Sequence, residues 1–131
     1  MNYETELKEL VGQMSSGDED NLISASVMLG QFGKSAVAPL ICLLTDPRPL
    51  VREYSAMSLG IVGKDASDAT QALLPLLKDA SDAVRYAAVV AIGKIGLWDG
   101  VVEQSLREVL SDPDAMVARG AAEALSGMRG T

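Results

Sequence analysis

From Asp46 onward the chain repeats itself every 33 residues, and few architectures accommodate such a period. Asp46, Asp79 and Asp112 fall in one column, Val51, Val84 and Val117 in a second, and Leu59, Ile92 and Leu125 in a third. Gly60 pairs with Gly93, Gly63 with Gly96, Leu73 with Leu106, Leu77 with Leu110 and Gln71 with Gln104. A unit this short cannot bury an apolar face alone. It buries that face against copies of itself, which makes a solenoid.

Within 46–78, Val51, Ser55, Ser58, Leu59 and Val62 share one face at helical spacing, and Ala69, Leu73, Leu76 and Leu77 share another. Pro49 suits a first helical position, and Ser81 and Asp114 suit the N-caps of the later units. Gly60 and Gly63 are read as closing the first helix, and Gly93, Gly96 and Gly100 as terminators in the next unit. Each unit is thus two helices of about three to four turns around a short loop. Unit 79–111 repeats the pattern, with Val84, Ala88, Ala91, Ile92 and Ile95, then Val102, Leu106, Val109 and Leu110. The small residues Ser55, Ala88 and Ala121, and Ser58, Ala91 and Ala124, let paired helices approach closely.

Upstream, 18–45 is a shorter copy. Asp18 is placed to cap a helix carrying Ala25, Met28, Leu29 and Phe32, ended by Gly30 and Gly33, and Ser35 to cap a second with Leu40, Leu43 and Leu44. Residues 1–17 form a capping helix through Leu7, Leu10, Val11 and Met14, and 112–131 a terminal half unit. The expectation is a single all-α domain of eight helices, wound as a right-handed superhelix.

Composition narrows the chemistry. The chain has no histidine and one cysteine, Cys42, so it holds no Ser-His or Cys-His nucleophile pair and no internal disulfide, as suits a reducing cytoplasm. Asp18, Glu19 and Asp20 mimic the start of a calcium loop, but Ile23 stands where its glycine is needed. Gly93, Gly96 and Gly100 lack the spacing of a dinucleotide loop. No catalytic residue, metal or cofactor is expected. The net charge of −7 disfavours nucleic acid and anionic lipid, and the longest apolar run, 36–44, is half a bilayer span. Trp98 is expected to pack over the helix ends and Cys42 to be a small core or half-buried residue.

These residues resemble the HEAT repeat, in the variety named after phycobilisome lyases. Its pattern of Asp, five residues, Arg, then Leu-Gly-x-Ile-Gly stands here as Asp46 to Arg52 with Leu59-Gly60-Ile61-Val62-Gly63, and as Asp79 to Arg85 with Ile92-Gly93-Lys94-Ile95-Gly96. The resemblance implies a ladder of Asp46, Arg52, Asp79 and Arg85 across the stack. Leu22 and Ala118 occupy the Arg position in the outer units, which confines the ladder to the centre.

The resemblance also implies that the second helices line the concave side. Ile41 and Leu74 then stand out as exposed apolar residues, flanked by Gln71, Lys78, Gln104 and Arg107: an apolar centre with a polar rim, or alternatively simple inter-repeat packing. The function expected is a non-enzymatic adaptor binding another protein there. An accessory subunit of a bilin lyase is the alternative, and a HEAT-like DNA-repair protein a more distant one. Helix 115–128 carries Met116, Val117, Ala121, Leu125 and Met128 with no following helix, and only Arg119, Glu123 and Arg129 to cover it. A weak homodimer through that end is expected.

Overall fold

The computed structural model describes residues 3–129, for Arg129 the backbone only. Among these residues there are eight α-helices and no strand: α1 (Tyr3–Ser16), α2 (Glu19–Phe32), α3 (Val37–Leu43), α4 (Pro49–Val62), α5 (Thr70–Leu73), α6 (Asp82–Ile95), α7 (Gly100–Val109) and α8 (Ala115–Arg129). Short 3-10 segments, Gly33–Ala36, Gly63–Ala69 and Leu74–Lys78, lie between some of them. The first helices α2, α4, α6 and α8 pack each on the next as one layer, while α3, the 70–78 segment and α7 form the other. The all-α repeat architecture expected from the period is the one observed.

The core is aliphatic and continuous. Leu22, Leu29, Leu40, Val51, Leu59, Leu73, Val84, Ile92, Val102, Leu106 and Val117 are all at most 1% exposed, so these columns are core columns; Met28 and Leu110, expected on the same buried faces, lie at their margins and are each 43% exposed. Removing a leucine such as Leu73 would cost roughly 2–5 kcal/mol in transfer energy and cavity. At the amino end, Leu10 and Met14 of α1 are buried, and Tyr3 stacks on Phe32 with ring centroids 4.8 Å apart.

The second helices are shorter than expected. Pro75 has no N–H to donate back to the preceding turn, and the chain there is a four-residue α5 followed by 3-10 turns. Only α7, with no proline inside it, runs for ten residues as one α-helix.

Caps also differ from the expectation. Ser81 and Asp114 do accept from backbone amides of the following turn (Val84, and Met116 with Val117). Asp18 occupies the N-cap position of α2 without a side-chain bond, and Ser35 lies inside a 3-10 turn rather than at a cap. Gly33, Gly63 and Gly96 take positive φ and end their helices. Gly30, Gly60 and Gly93 do not: they lie inside α2, α4 and α6 where the next first helix comes closest. A β-carbon on Gly60 would sit 3.2 Å from Ala91 Cα, and one on Gly30 only 2.5 Å from Ile61 Cγ2. Gly100 opens α7 behind Asp99, whose carboxylate accepts from Val102 N.

At the carboxyl end, Val117, Ala121 and Leu125 are buried against the preceding unit, leaving Met116 as the large apolar side chain on the outward face of α8. The Arg129 side chain lies outside the described residues. The stretch Glu19–Leu43 has the length and mean hydropathy, 1.3, of a membrane span. It is nonetheless two helices folded at Gly33, with Leu22, Ala25, Leu29 and Leu40 in the core.

Candidate functional site: a groove above an Arg–Asp ladder

The Asp that opens each unit and the Arg six positions later meet their neighbours at the seam between repeats. Arg52 Nε donates to Asp79 Oδ2 at 2.8 Å and Nη2 to Asp79 Oδ1 at 3.0 Å, while Nη1 donates to the Asp46 carbonyl at 2.9 Å. One repeat on, Arg85 donates to both Asp112 carboxylate oxygens, at 2.9 and 3.2 Å, and to the Asp79 carbonyl at 2.8 Å. Each guanidinium thus uses its fork on the next unit and its remaining amine on its own. Burial pushes the Asp79 and Asp112 carboxyls up. The Arg bonds, the Ser81 and Asp114 amides and the nearby guanidinium charge outweigh it, leaving both below the usual carboxylate range.

The ladder is therefore displaced from the one expected. It extends to Asp112 in the last unit, because the Arg supplies the rung and the Ala118 substitution removes only the rung after it. At the other end, Leu22 leaves the Asp46 carboxylate without a preceding Arg. Arg48 takes that place: its Nε bonds Asp46 Oδ1 at 2.9 Å and its Nη2 the Ser15 carbonyl at 2.6 Å, which ties the end of α1 to the stack. The Arg48 hydrogen bond is the main reason the Asp46 carboxyl is lowered. Arg48 lies directly over Gly17, where a β-carbon would fall 2.5 Å from its Nη1.

Above the Arg85–Asp112 rung a groove of about 630 Å³ opens between the Leu74–Lys78 segment and α7. Leu74, Pro75, Leu77 and Val109 form apolar walls, Asp79, Arg85 and Asp112 the floor, and Gln71, Lys78, Ser105, Glu108 and Ser111 the rim. Lys78 and Glu108 are in no ion pair among the described residues, whereas the floor charges are mutually neutralised. The arrangement has no nucleophile–base pair. What it offers is an apolar slot with one free cation and one free anion at its margins.

Of the six residues expected to form a recognition surface, Gln71, Leu74 and Lys78 line this groove, and Ile41, Gln104 and Arg107 do not. Ile41 and Leu74 are not exposed apolar anchors; both are half-buried and pack on the core. Arg107 is held by Glu103 at 2.9 Å on the exposed side of α7. Cys42 is exposed rather than a core or half-buried residue, and Trp98 retains 36% of its surface in the turn before α7. The groove residues that sequence reasoning passed over are Pro75, Ser105, Glu108 and Ser111. The signal was present: Cys42, Pro75 and Glu108 align in one column, all on the outward side of the second helices.

Residues 7–131 of the chain match the family model for HEAT repeats, over 7–93 and 70–131. No curated protein matches it in sequence. Among solved structures it is similar to an engineered protein, with a TM-score of 0.72 and 23% identity over 98% of this chain and 63% of the other. It is also similar to computationally designed armadillo repeat proteins for modular peptide recognition, with a TM-score of 0.66 and 24% identity over 92% of this chain and 63% of the other. The chain spans 63% of the length of each, and at such identities the likeness is one of fold. With the repeat columns, the Arg–Asp seams and the family match in agreement, this chain belongs to the HEAT-repeat family.

Proposed function

We propose that the protein is a non-enzymatic interaction module that holds an extended segment of a partner protein in the groove between the Leu74–Lys78 segment and α7. The observation that carries this reading is the slot itself: about 630 Å³, apolar walls, a neutralised floor, and Lys78 and Glu108 unpaired at its rim. That volume falls within the usual range of ligand sites. Designed repeat proteins of the same fold were made for peptide recognition, which accords with it. A ligand segment would set apolar side chains against Leu74, Pro75 and Val109, an acidic group near Lys78 and a basic group near Glu108.

A role beside a bilin lyase rests on the Asp-Arg and Leu-Gly pattern alone, and nothing about the groove favours it. DNA repair is favoured less, because Arg107 is engaged by Glu103 and Glu108 stands beside Lys78, so this layer presents no run of free cations. The test is selection from a displayed random-peptide library against the full chain. Enriched peptides should share an acidic and a basic position about an apolar centre, and should lose binding to folded Lys78→Glu and Glu108→Lys proteins. Enriched peptides that bind both variants unchanged would put the site elsewhere.

A further inference from the structure

The first-helix layer carries a surface that neither the core nor the groove uses. Val27, Met57 and Val90 occupy equivalent positions on α2, α4 and α6 and form a row across these three helices; on α8 the position is held by Glu123, which pairs with Arg119. Val27 and Met57 are 42% and 43% exposed, and Ile23, Ile61 and Tyr86 extend the strip at 48%, 42% and 38%.

Two charges interrupt it, and their placement is the informative point. Glu53 shares the α6-facing side of α4 with Gly60, seven residues on, so it lies at the α4–α6 seam near the start of α4. Lys94 lies at the same seam near the end of α6: its Cδ would be 3.5 Å from a β-carbon on Gly60. Neither is in an ion pair among the described residues. Lys94 aligns with Ile61, eight positions beyond Glu53, and the Met57/Val90 row falls midway between them. At 1.5 Å per residue the two charges are about 12 Å apart along the helix direction, roughly 6 Å on either side of the row.

We infer that this strip is the contact surface for a second copy of the chain, packed antiparallel about a twofold axis running along the Val27–Met57–Val90 row. Such an axis reverses the helix direction and leaves the stacking direction unchanged. It sets Met57 against Met57 and brings Glu53 of each copy opposite Lys94 of the other, giving two symmetric ion pairs beside an apolar centre. The same operation lays the acidic start of α2, at Asp20, along its own lysine-bearing end at Lys34, and the start of α6, at Asp82, along Lys94. A parallel arrangement would set acid on acid. Charge complementarity therefore selects one orientation of one partner.

Sedimentation velocity of the full chain over a wide concentration range tests this, with circular dichroism to check folding. The wild type should pass from monomer to dimer. Met57→Glu, which places two carboxylates face to face at the axis, should weaken dimerisation by more than about tenfold. Glu53→Lys and Lys94→Glu should each weaken it by about tenfold, and the double exchange should restore it to within about threefold of wild type. A monomer at every concentration would overturn the inference. A dimer for which the double exchange is no tighter than either single variant would also overturn it. So would a dimer lost on Met116→Glu but kept on Met57→Glu, which would place the contact on α8.

Discussion

Arg85 and Asp112, 27 residues apart, are joined by two parallel hydrogen bonds of 2.9 and 3.2 Å, with 14% and 7% of their side chains exposed. The third arm of the same guanidinium holds the Asp79 carbonyl at 2.8 Å, so one side chain fixes the register of two repeats. Arg85→Ala removes all of these bonds and leaves Asp112 short of a charged donor in a largely enclosed seam. A loss of about 1–3 kcal/mol is expected. A melting temperature equal to wild type would mean the rung contributes nothing in solution.

The ladder carboxylates also set the acid stability. Asp79 and Asp112 have lowered values in the folded chain, so the unfolded chain takes up protons first as pH falls. Their contribution is complete above the ordinary carboxylate value of about 4 and is lost as pH drops through their lower folded values. Glu53 has the opposite sign. Burial, then the charges of Glu19 and Asp82, raise it, so its contribution is present below the usual value for Glu and lost as pH rises through the raised one. Urea midpoints measured from pH 7 downward should fall steeply only below about pH 4, and Asp112→Asn should flatten that limb. An unchanged limb in Asp112→Asn would show that other groups drive acid unfolding.

Ser55 is fully buried, and its hydroxyl makes no hydrogen bond. Equivalent positions in the other units hold Ala25, Ala88 and Ala121, so the pocket is shaped for a methyl. Ser55→Ala should stabilise the chain by about 1 kcal/mol, since it removes an unsatisfied polar group without opening a cavity. Thermal unfolding decides it, and a lowered midpoint would mean that the hydroxyl has a use.

Two glycines give a paired test of helix approach. Gly12 is exposed within α1 with no atom within 4 Å of a β-carbon, so Gly12→Ala should gain up to about 1 kcal/mol from helix propensity. The same change at Gly30 meets the Ile61 Cγ2 and Cβ and the Ser58 carbonyl, and α2 and α4 must move apart. It should cost about 1–3 kcal/mol despite the better propensity. Equal effects at both sites would show that the first helices are not so tightly seated.

In the groove, Leu74 is half-buried against the core, so Leu74→Glu would disturb folding as well as binding. Lys78→Glu is the cleaner probe. It should reduce capture of a selected peptide by more than about tenfold and leave the melting temperature within a degree or two. Capture equal to wild type would remove Lys78 from the site.

The repeat period, the core columns and the all-α stack were legible in the sequence because burial recurs with the unit: Val51, Val84 and Val117 answer to the same neighbours three times. Local chemistry was legible too where one residue acts on its own backbone, as at Ser81, Asp114 and Gly63. Tertiary structure decided everything that depends on which helix lies beside which. Gly60 reads as a terminator until Ala91 is seen against it, and Arg48 as an ordinary turn residue until it reaches the Ser15 carbonyl. The ladder's true rungs, Arg52 to Asp79 and Arg85 to Asp112, join residues 27 apart, a separation fixed by the fold of two helices and not by any local pattern. Periodicity marked Ile41 and Leu74 as positions outside the core stripe. How much of each the neighbouring repeat covers depends on interhelix distance, which small residues and prolines set in three dimensions.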